Sequence, residues 1–289
     1  MPKTEILTAD SAGIHRAAAL LRAGRLVAFP TETVYGLGAD ARAGSAVAAI
    51  YEAKGRPRFN PLIVHVPDLA RAQRIGAFDH AARALAEAFW PGPLTLVVPL
   101  AAGHGLSSLV TAGLDSVGLR VPAGAVAQAL LRAADLPVAA PSANPSGDVS
   151  PTSAAHVLDG LGGRIDAVLD GGRAEVGVES TIVDMTARPI LLRPGGLPAE
   201  ALEAALGAPL ASRDAPATQR PVAPGQLASH YAPRAALRLG AESRRAGEVW
   251  LGFGGVRGAD LDLSPAGDLR EAAANLFDHL RRLDRPGTT

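Results

Sequence analysis

An α/β domain with mixed strand directions, followed by a Pro-rich linker and a short tail, is the fold that the sequence predicts. Short apolar runs of strand length recur from Met1 to about Gly207, with segments of helical periodicity between them. Some of these runs follow one another too closely for crossover helices, so the sheet cannot be purely parallel. From Ala208 to Pro233 the periodicity gives way to Ala-Pro-Leu, Asp-Ala-Pro-Ala and Arg-Pro-Val-Ala-Pro-Gly, the composition of a linker.

Ser11 precedes a helix that carries Ile14, Ala17, Ala18 and Leu21 on one face and stops at Gly24. Leu26–Phe29 is the first strand expected, and the polar and Gly-containing segment after it reads as a loop through Gly38. Ser45 is expected to cap a helix running to Ala53. Leu62–Val66 reads as a strand. Asp79–Phe89 reads as a helix with Ala82, Leu85, Ala86 and Phe89 inward. Leu94–Val98, Val117–Val121, Val138–Ala140, Ala167–Leu169, Thr181–Val183 and Ile190–Leu192 read as further strands. Ala123–Ala134, Thr152–Leu161 and Pro198–Leu206 read as helices. In the tail, Val249–Phe253 is a strand candidate. Asp268 and Glu271 form a capping box for a helix with Leu269, Leu276, Phe277, Leu280 and Leu283 on its buried side.

The chain has 289 residues, 48% of them hydrophobic and 19% charged, enough to bury a core of one large or two ordinary domains. Lys+Arg and Asp+Glu are 28 each, so no bulk electrostatic affinity for nucleic acid or an anionic membrane is indicated, although a local basic pocket is compatible with this balance. With no cysteine, disulfides, thiolate catalysis and cysteine-ligated metals are excluded. The N-terminus lacks a signal pattern, and no apolar run approaches the ~18 residues of a membrane span. A soluble cytoplasmic protein is the expectation.

Polar groups on or beside apolar strands are the residues that carry chemistry. Phe29-Pro30-Thr31-Glu32-Thr33-Val34-Tyr35-Gly36-Leu37-Gly38 packs hydroxyls, a carboxylate and glycines after a strand, where α/β proteins meet ligands. Lys54-Gly55-Arg56-Pro57-Arg58-Phe59-Asn60 places cations before a strand that contains His65. The plain structural reading is solvated surface charge and a core histidine; the functional one is an anion-binding wall. Arg120 lies within Val117-Gly118-Leu119-Arg120-Val121, where a guanidinium needs a partner, either an internal acid or a substrate carboxylate. Ala140-Pro141-Ser142-Ala143-Asn144 and the nearby Ser150 and Thr152 offer hydroxyls and close backbone approach, or an ordinary turn and cap. Glu179-Ser180-Thr181-Ile182-Val183-Asp184 and Leu191-Leu192-Arg193-Pro194-Gly195 repeat the theme. P-loop, H-E-x-x-H and G-x-S-x-G patterns are absent, and Gly252-Phe253-Gly254-Gly255 lacks the dinucleotide spacing.

Taken together and in order, Pro30–Gly38, Lys54–Val66, Val117–Pro122, Ser142-Ala143-Asn144 and Ser180–Asp184 resemble the YrdC-like domain. Pro224-Gly225-Gln226-Leu227-Ala228-Ser229-His230-Tyr231-Ala232-Pro233 is similar to the signature that joins this domain to a C-terminal Rossmann-like one. The resemblance covers residues 5–234 and is to the two-domain threonylcarbamoyl-AMP synthase family. It implies a twisted mixed sheet with helices over 1–207, a linker or lid over 208–234, and a Rossmann-like domain over 235–289. That last domain looks incomplete, because family members usually continue well beyond Leu283-Asp284.

By the same resemblance the chain is a nucleotidyltransferase that makes threonylcarbamoyl-AMP and pyrophosphate from L-threonine, bicarbonate and ATP. Magnesium arrives on the triphosphate. The product serves a downstream tRNA threonylcarbamoyl transferase complex, with at most weak tRNA contact by the chain itself. Carried over by motif, Thr33, His65, Arg120 and Ser180 line the threonine site, with Ala140 at its edge. Arg56, Asn60, Ser116, Ser142, Ser150 and Arg193 hold ATP, Lys54 lies on the phosphate side, and Tyr231 lies over the pocket. No residue is assigned as a nucleophile. Three rivals remain. Hydrogenase-maturation carbamoyltransferases normally add acylphosphatase and zinc-finger segments, which this cysteine-free chain lacks. An RNA-binding, translation-associated module without catalysis is disfavoured by neutral charge and the lack of an aromatic stacking motif. A degenerate homologue sits badly with the intact motif set.

Overall fold

The computed structural model describes residues 3–212, 223–224, 232–284 and 287–288. In chain order the elements are β1 (Glu5–Thr8), α1 (Ser11–Arg22), β2 (Val27–Pro30), β3 (Tyr35–Asp40), α2 (Gly44–Lys54), β4 (Ile63–His65), α3 (Leu69–Ala72), α4 (His80–Phe89), β5 (Leu94–Pro99), α5 (Ser108–Thr111), β6 (Ser116–Arg120), α6 (Ala125–Ala134), β7 (Val138–Ala139), α7 (Ala154–Leu161), β8 (Ala167–Asp170), β9 (Thr181–Asp184), β10 (Ile190–Arg193), α8 (Ala199–Leu206), β11 (Ala211–Ser212), β12 (Leu251–Gly252), β13 (Leu261–Asp262) and α9 (Leu269–Leu283). Among the described residues eleven strands form one mixed sheet in the order β1-β8-β2-β3-β7-β4-β6-β5-β9-β10-β11. β4 pairs with β6 in parallel and with β7 antiparallel, and the closely spaced pairs β2–β3 and β9–β10 are antiparallel, as their short connections require.

The sheet is covered on both faces, and strand alternation decides which residue joins which core. Within β2, Val27 and Phe29 join the core beneath α1 and α6, while Ala28 joins the larger core beneath α2, α4, α7 and α8. The same alternation continues across the second half of the sheet. Val64, Leu96, Leu119 and Val183 enter the larger core. Their neighbours Ile63, Val97 and Ile182 face the other way, against Ala223 of the linker. Helices α1 and α6 stop short of this region, so part of the second face is left to the linker and to polar side chains.

Several local expectations are corrected. The segment read as a loop through Gly38 is a hairpin: Tyr35–Asp40 is a strand, antiparallel to β2 with Gly36 opposite Phe29. Its glycines, which argue against a strand by propensity, are there for space. A Cβ on Gly38 would sit 2.9 Å from the Phe29 ring and 3.0 Å from Val138. The α1 cap is Asp10, which accepts from the Gly13 amide, and Ser11 is already helical. Ser45 does not cap α2: the N-cap is Ala43, with no side-chain bond. α7 begins at Ala154 with Ser153 as cap, later than Thr152. β1 was not anticipated; it pairs with β8 at the sheet edge.

In the tail, β12 and β13 form a two-stranded parallel sheet. Asp268 caps α9, but Glu271 reaches back through Ser264: the Ser264 hydroxyl donates to Glu271 Oε2 at 2.5 Å and its oxygen accepts from the Asp268 amide. Leu269, expected inside, is exposed, because it lies in the first turn, ahead of the face that docks. That face packs Phe277, with Leu276 and Leu280, onto Val34 and Val149. Arg281 donates to the carbonyls of Val149 and Ser150. Among the described residues no helix is long and apolar enough to cross a membrane.

Candidate functional site

A cleft lies on the half-covered face and is lined by Thr31, Val34, Gly36, Arg56, Ile63, His65, Arg120, Ala140, Pro141, Ser142, Glu179, Ser180, Arg193 and Pro224. Register explains the gathering. His65 of β4 stands opposite Arg120 of β6, so the imidazole and guanidinium share one face, two residues on from Ile63 and Gly118. Gly36 bridges to Ser142, which closes one side. On the other side Gly195 crosses so near Glu179–Ser180 that a Cβ would lie 2.3 Å from the Glu179 carbonyl oxygen.

The cations are buried and held. Arg56 donates to the carbonyls of Asn60 and Pro61. Arg193 donates to the Ser180 carbonyl at 2.8 Å and to its hydroxyl at 3.1 Å, with the Glu179 carboxylate 3.5 Å away. Ser180 also shares a hydrogen bond with Thr95 at 2.8 Å. Arg120 has its internal acid, Glu32, at 2.6 Å, with both side chains buried. Lys54 lies behind the wall and donates to the carbonyls of Ser142 and Asn144. Its burial, and then the Arg56 charge, push its pKa well below the usual lysine value.

His65 is an uncharged group in a cationic site. Burial, reinforced by Arg120, pushes its pKa down to about 3. Among the described residues its buried Nδ1 has no hydrogen-bond partner. The linkage sign follows from this. The unfolded imidazole takes up a proton below about 6.5, whereas the folded one resists until about 3. Stability therefore falls as pH drops through that window. Between pH 7.5 and 4.5 this one group should remove roughly 2–3 kcal/mol. Urea unfolding at the two pH values should show a smaller drop for His65→Gln than for the parent chain; equal drops would refute the assignment.

The structure distributes the sequence-predicted residues unevenly. His65, Arg120, Ala140, Ser180, Arg56, Ser142 and Arg193 stand on the cleft wall. Thr33, Lys54, Asn60 and Ser150 stand one hydrogen bond behind it. Thr33 bonds to the Thr31 hydroxyl at 2.9 Å, Lys54 to Ser142, Asn60 through its carbonyl to Arg56, and Ser150 to Glu179 at 2.7 Å. The side-chain amide of Asn60 is buried, with neither polar atom partnered among the described residues. Ser116 lines an adjoining narrow slot with Thr95, Gly118, Ile182, Ala223 and Pro224. Tyr231 lies outside the described residues. Of the linker, Ala223 is buried on the sheet, Pro224 touches both cleft and slot, and the Ala232 amide donates to the Gly147 carbonyl.

Wall residues that the sequence reading quoted but did not assign are Thr31, Val34, Gly36, Ile63, Pro141, Glu179 and Pro224. Glu179 carried a usable signal, an acid directly before Ser180 at the mouth of a strand. Glu32 carried none, since its partner is 88 residues away.

Comparisons with known proteins bear on this geometry. A family model described as telomere recombination, the Sua5–YciO–YrdC family, matches residues 19–195. A second, the C-terminal domain of threonylcarbamoyl-AMP synthase, matches residues 197–289. A threonylcarbamoyl-AMP synthase of Bacillus subtilis is 47% identical over 239 residues, covering 82% of this chain and 69% of the relative. One of Pyrococcus abyssi is 42% identical over 297 residues, covering 95% and 86%. A crystal structure of Pyrococcus abyssi Sua5 complexed with L-threonine matches with a TM-score of 0.88 and 39% identity, over 99% of this chain and 90% of that one. With both halves matched in order and the cleft residues gathered on one sheet face, this chain belongs to the Sua5–YciO–YrdC family, in its form with a threonylcarbamoyl-AMP synthase C-terminal domain.

Proposed function

We propose that this chain is a nucleotidyltransferase that makes L-threonylcarbamoyladenylate and pyrophosphate from L-threonine, bicarbonate and ATP, the first step of threonylcarbamoyladenosine formation in tRNA. The observation that carries this is the wall itself: three buried guanidiniums, those of Arg56, Arg120 and Arg193, around a neutral imidazole and hydroxyls. Such a wall neutralises carboxylate and phosphate charge.

In this reading Arg120 receives the amino-acid carboxylate, and His65, Thr33 and Ser180 surround the amino acid with Ala140 at its edge. Arg56, Arg193, Ser142, Ser150, Asn60 and Ser116 hold ATP, and Lys54 acts from the phosphate side. The threonine amine adds to bicarbonate with loss of water, giving a carbamate. A carbamate oxygen then bonds to the α-phosphorus as the bond to pyrophosphate breaks. Phosphoryl transfer of this kind rests on positioning and charge neutralisation rather than on a protein nucleophile. Magnesium enters as the counter-ion of the triphosphate. Both carbamate and mixed anhydride are sensitive to water, and the linker over 208–234, with Tyr231, is proposed to cover them. The division into a catalytic unit over 1–207 and a tail over 235–289 belongs to the same proposal. So do the cytoplasmic setting and hand-over of product to a tRNA-modifying transferase.

The test is pyrophosphate release by the purified chain with ATP, magnesium and bicarbonate. Release should require both L-threonine and bicarbonate, and L-serine should support it poorly. Release that ignores L-threonine, or none at all from folded protein that binds ATP, would overturn the reading.

A further inference from the structure

Glu32 is buried, lies behind the cleft wall rather than on it, and binds on two sides. Its Oε1 accepts from Arg120 Nη2 at 2.6 Å. Its Oε2 accepts from the amides of Ala123 at 3.0 Å and Gly124 at 3.3 Å, at the start of α6. The carboxylate thus ties the first hairpin, the β6 strand and the entry to α6 into one joint. On the far side of the guanidinium, Arg120 Nε faces the Gly92 carbonyl at 3.4 Å. Two edges of the fork are engaged in this way. Nη1 has no partner among the described residues, and Arg120 lines the cleft.

We propose that Glu32 is a positioning residue which, acting through Arg120, sets how tightly and how selectively the site takes a free amino-acid carboxylate. This rests on the reading above that Arg120 receives that carboxylate. An arginine side chain has many rotamers, and a carboxylate gains most from a fork whose plane is set beforehand. Glu32 supplies that setting from inside the protein. It also lowers the formal charge beside the substrate by one. The two effects oppose each other in affinity. The charge effect is muted, because one carboxylate oxygen is held by two amides and the residue lies behind the cleft wall. The orientation effect acts on the contacting atoms directly, so it should dominate.

The experiment is calorimetric titration of the full chain with L-threonine, with L-threoninamide, which lacks the carboxylate charge, and separately with ATP. Glu32→Gln keeps the shape and an acceptor for the α6 amides but loses the charged partner of Arg120. It should weaken L-threonine at least ten-fold, leave ATP within two-fold, and narrow the preference for L-threonine over L-threoninamide. A purely structural lesion would weaken ATP as well. Glu32→Asp keeps the charge on a shorter arm; it should fall between parent and Glu32→Gln, and it serves as the test if Glu32→Gln does not fold. Unchanged or tighter L-threonine binding in the folded variant would overturn the proposal. Failure of the parent chain to prefer L-threonine over L-threoninamide would instead remove the underlying reading of Arg120.

Discussion

Replacing Arg120 by alanine should abolish measurable pyrophosphate release at ordinary L-threonine concentrations and also destabilise the fold. The side chain is buried, 2.6 Å from the equally buried Glu32. Removing one member of a buried ion pair leaves the other uncompensated, at a cost of about 3–5 kcal/mol. Here the two amides at the start of α6 still satisfy one oxygen of Glu32, which favours the lower end. The binding loss is separate. Truncating a buried charged hydrogen-bonding partner costs about 2–5 kcal/mol, or roughly 30- to several-thousand-fold in affinity. Chemical denaturation and titration with L-threonine measure the two effects. Arg120→Lys separates charge from shape, since an ammonium can face Glu32 but cannot offer a planar fork. It should recover much of the stability and little of the affinity. A variant Arg120→Ala that binds L-threonine normally would refute the carboxylate role.

Substitution of Lys54 by methionine should cost about 10- to 100-fold in turnover, the equivalent of about 1–3 kcal/mol lost with a buried donor that holds the turn carrying Ser142. Lys54 stands beneath the Ser142–Asn144 turn and donates to the carbonyls at both ends of it. Methionine fills similar volume but removes both charged bonds; the Ser142 carbonyl keeps the Asn144 amide at 3.1 Å, while the Asn144 carbonyl loses its donor, at about 1–3 kcal/mol where water cannot reach it. The turn carries Ser142 onto the wall, so its displacement acts on the site directly. Steady-state pyrophosphate release and a melting curve should show a turnover loss larger than the stability loss accounts for. Because the folded pKa of Lys54 is depressed, the parent chain should lose activity on the alkaline side at a pH below that of an ordinary lysine. A parent-like rate in the folded variant would remove Lys54 from the machinery.

Much of the architecture was legible because its cause is local. Apolar runs such as Leu94–Val98 and Val117–Val121 became β5 and β6 almost residue for residue, and the period of two put Arg120 on the face opposite Leu119. Asp268 announced the helix that it caps. The β2–β3 hairpin was not legible: Gly36 and Gly38 lower strand propensity, and the reason for Gly38, the Phe29 ring and Val138 on the flanking strands β2 and β7, appears only once the sheet order is known. Leu269 misled for a related reason, since apolar periodicity says which residues share a helical face but not how far along the helix the partner extends.

The site divides along the same line. Sequence alone determined which residues are chemically able to act, and its ordered motifs carried His65, Arg120, Ser142, Ser180 and Arg193 to the wall where they now stand. Only the tertiary structure decided that Lys54, Thr33 and Ser150 stand behind that wall, that Glu179 stands on it, and that Glu32 is the partner of Arg120. The physical reason is range. Alternation, capping and turn chemistry depend on residues a few places apart. The choice of one acid among many for a buried guanidinium depends on which strands the folded sheet makes neighbours, here across 88 residues.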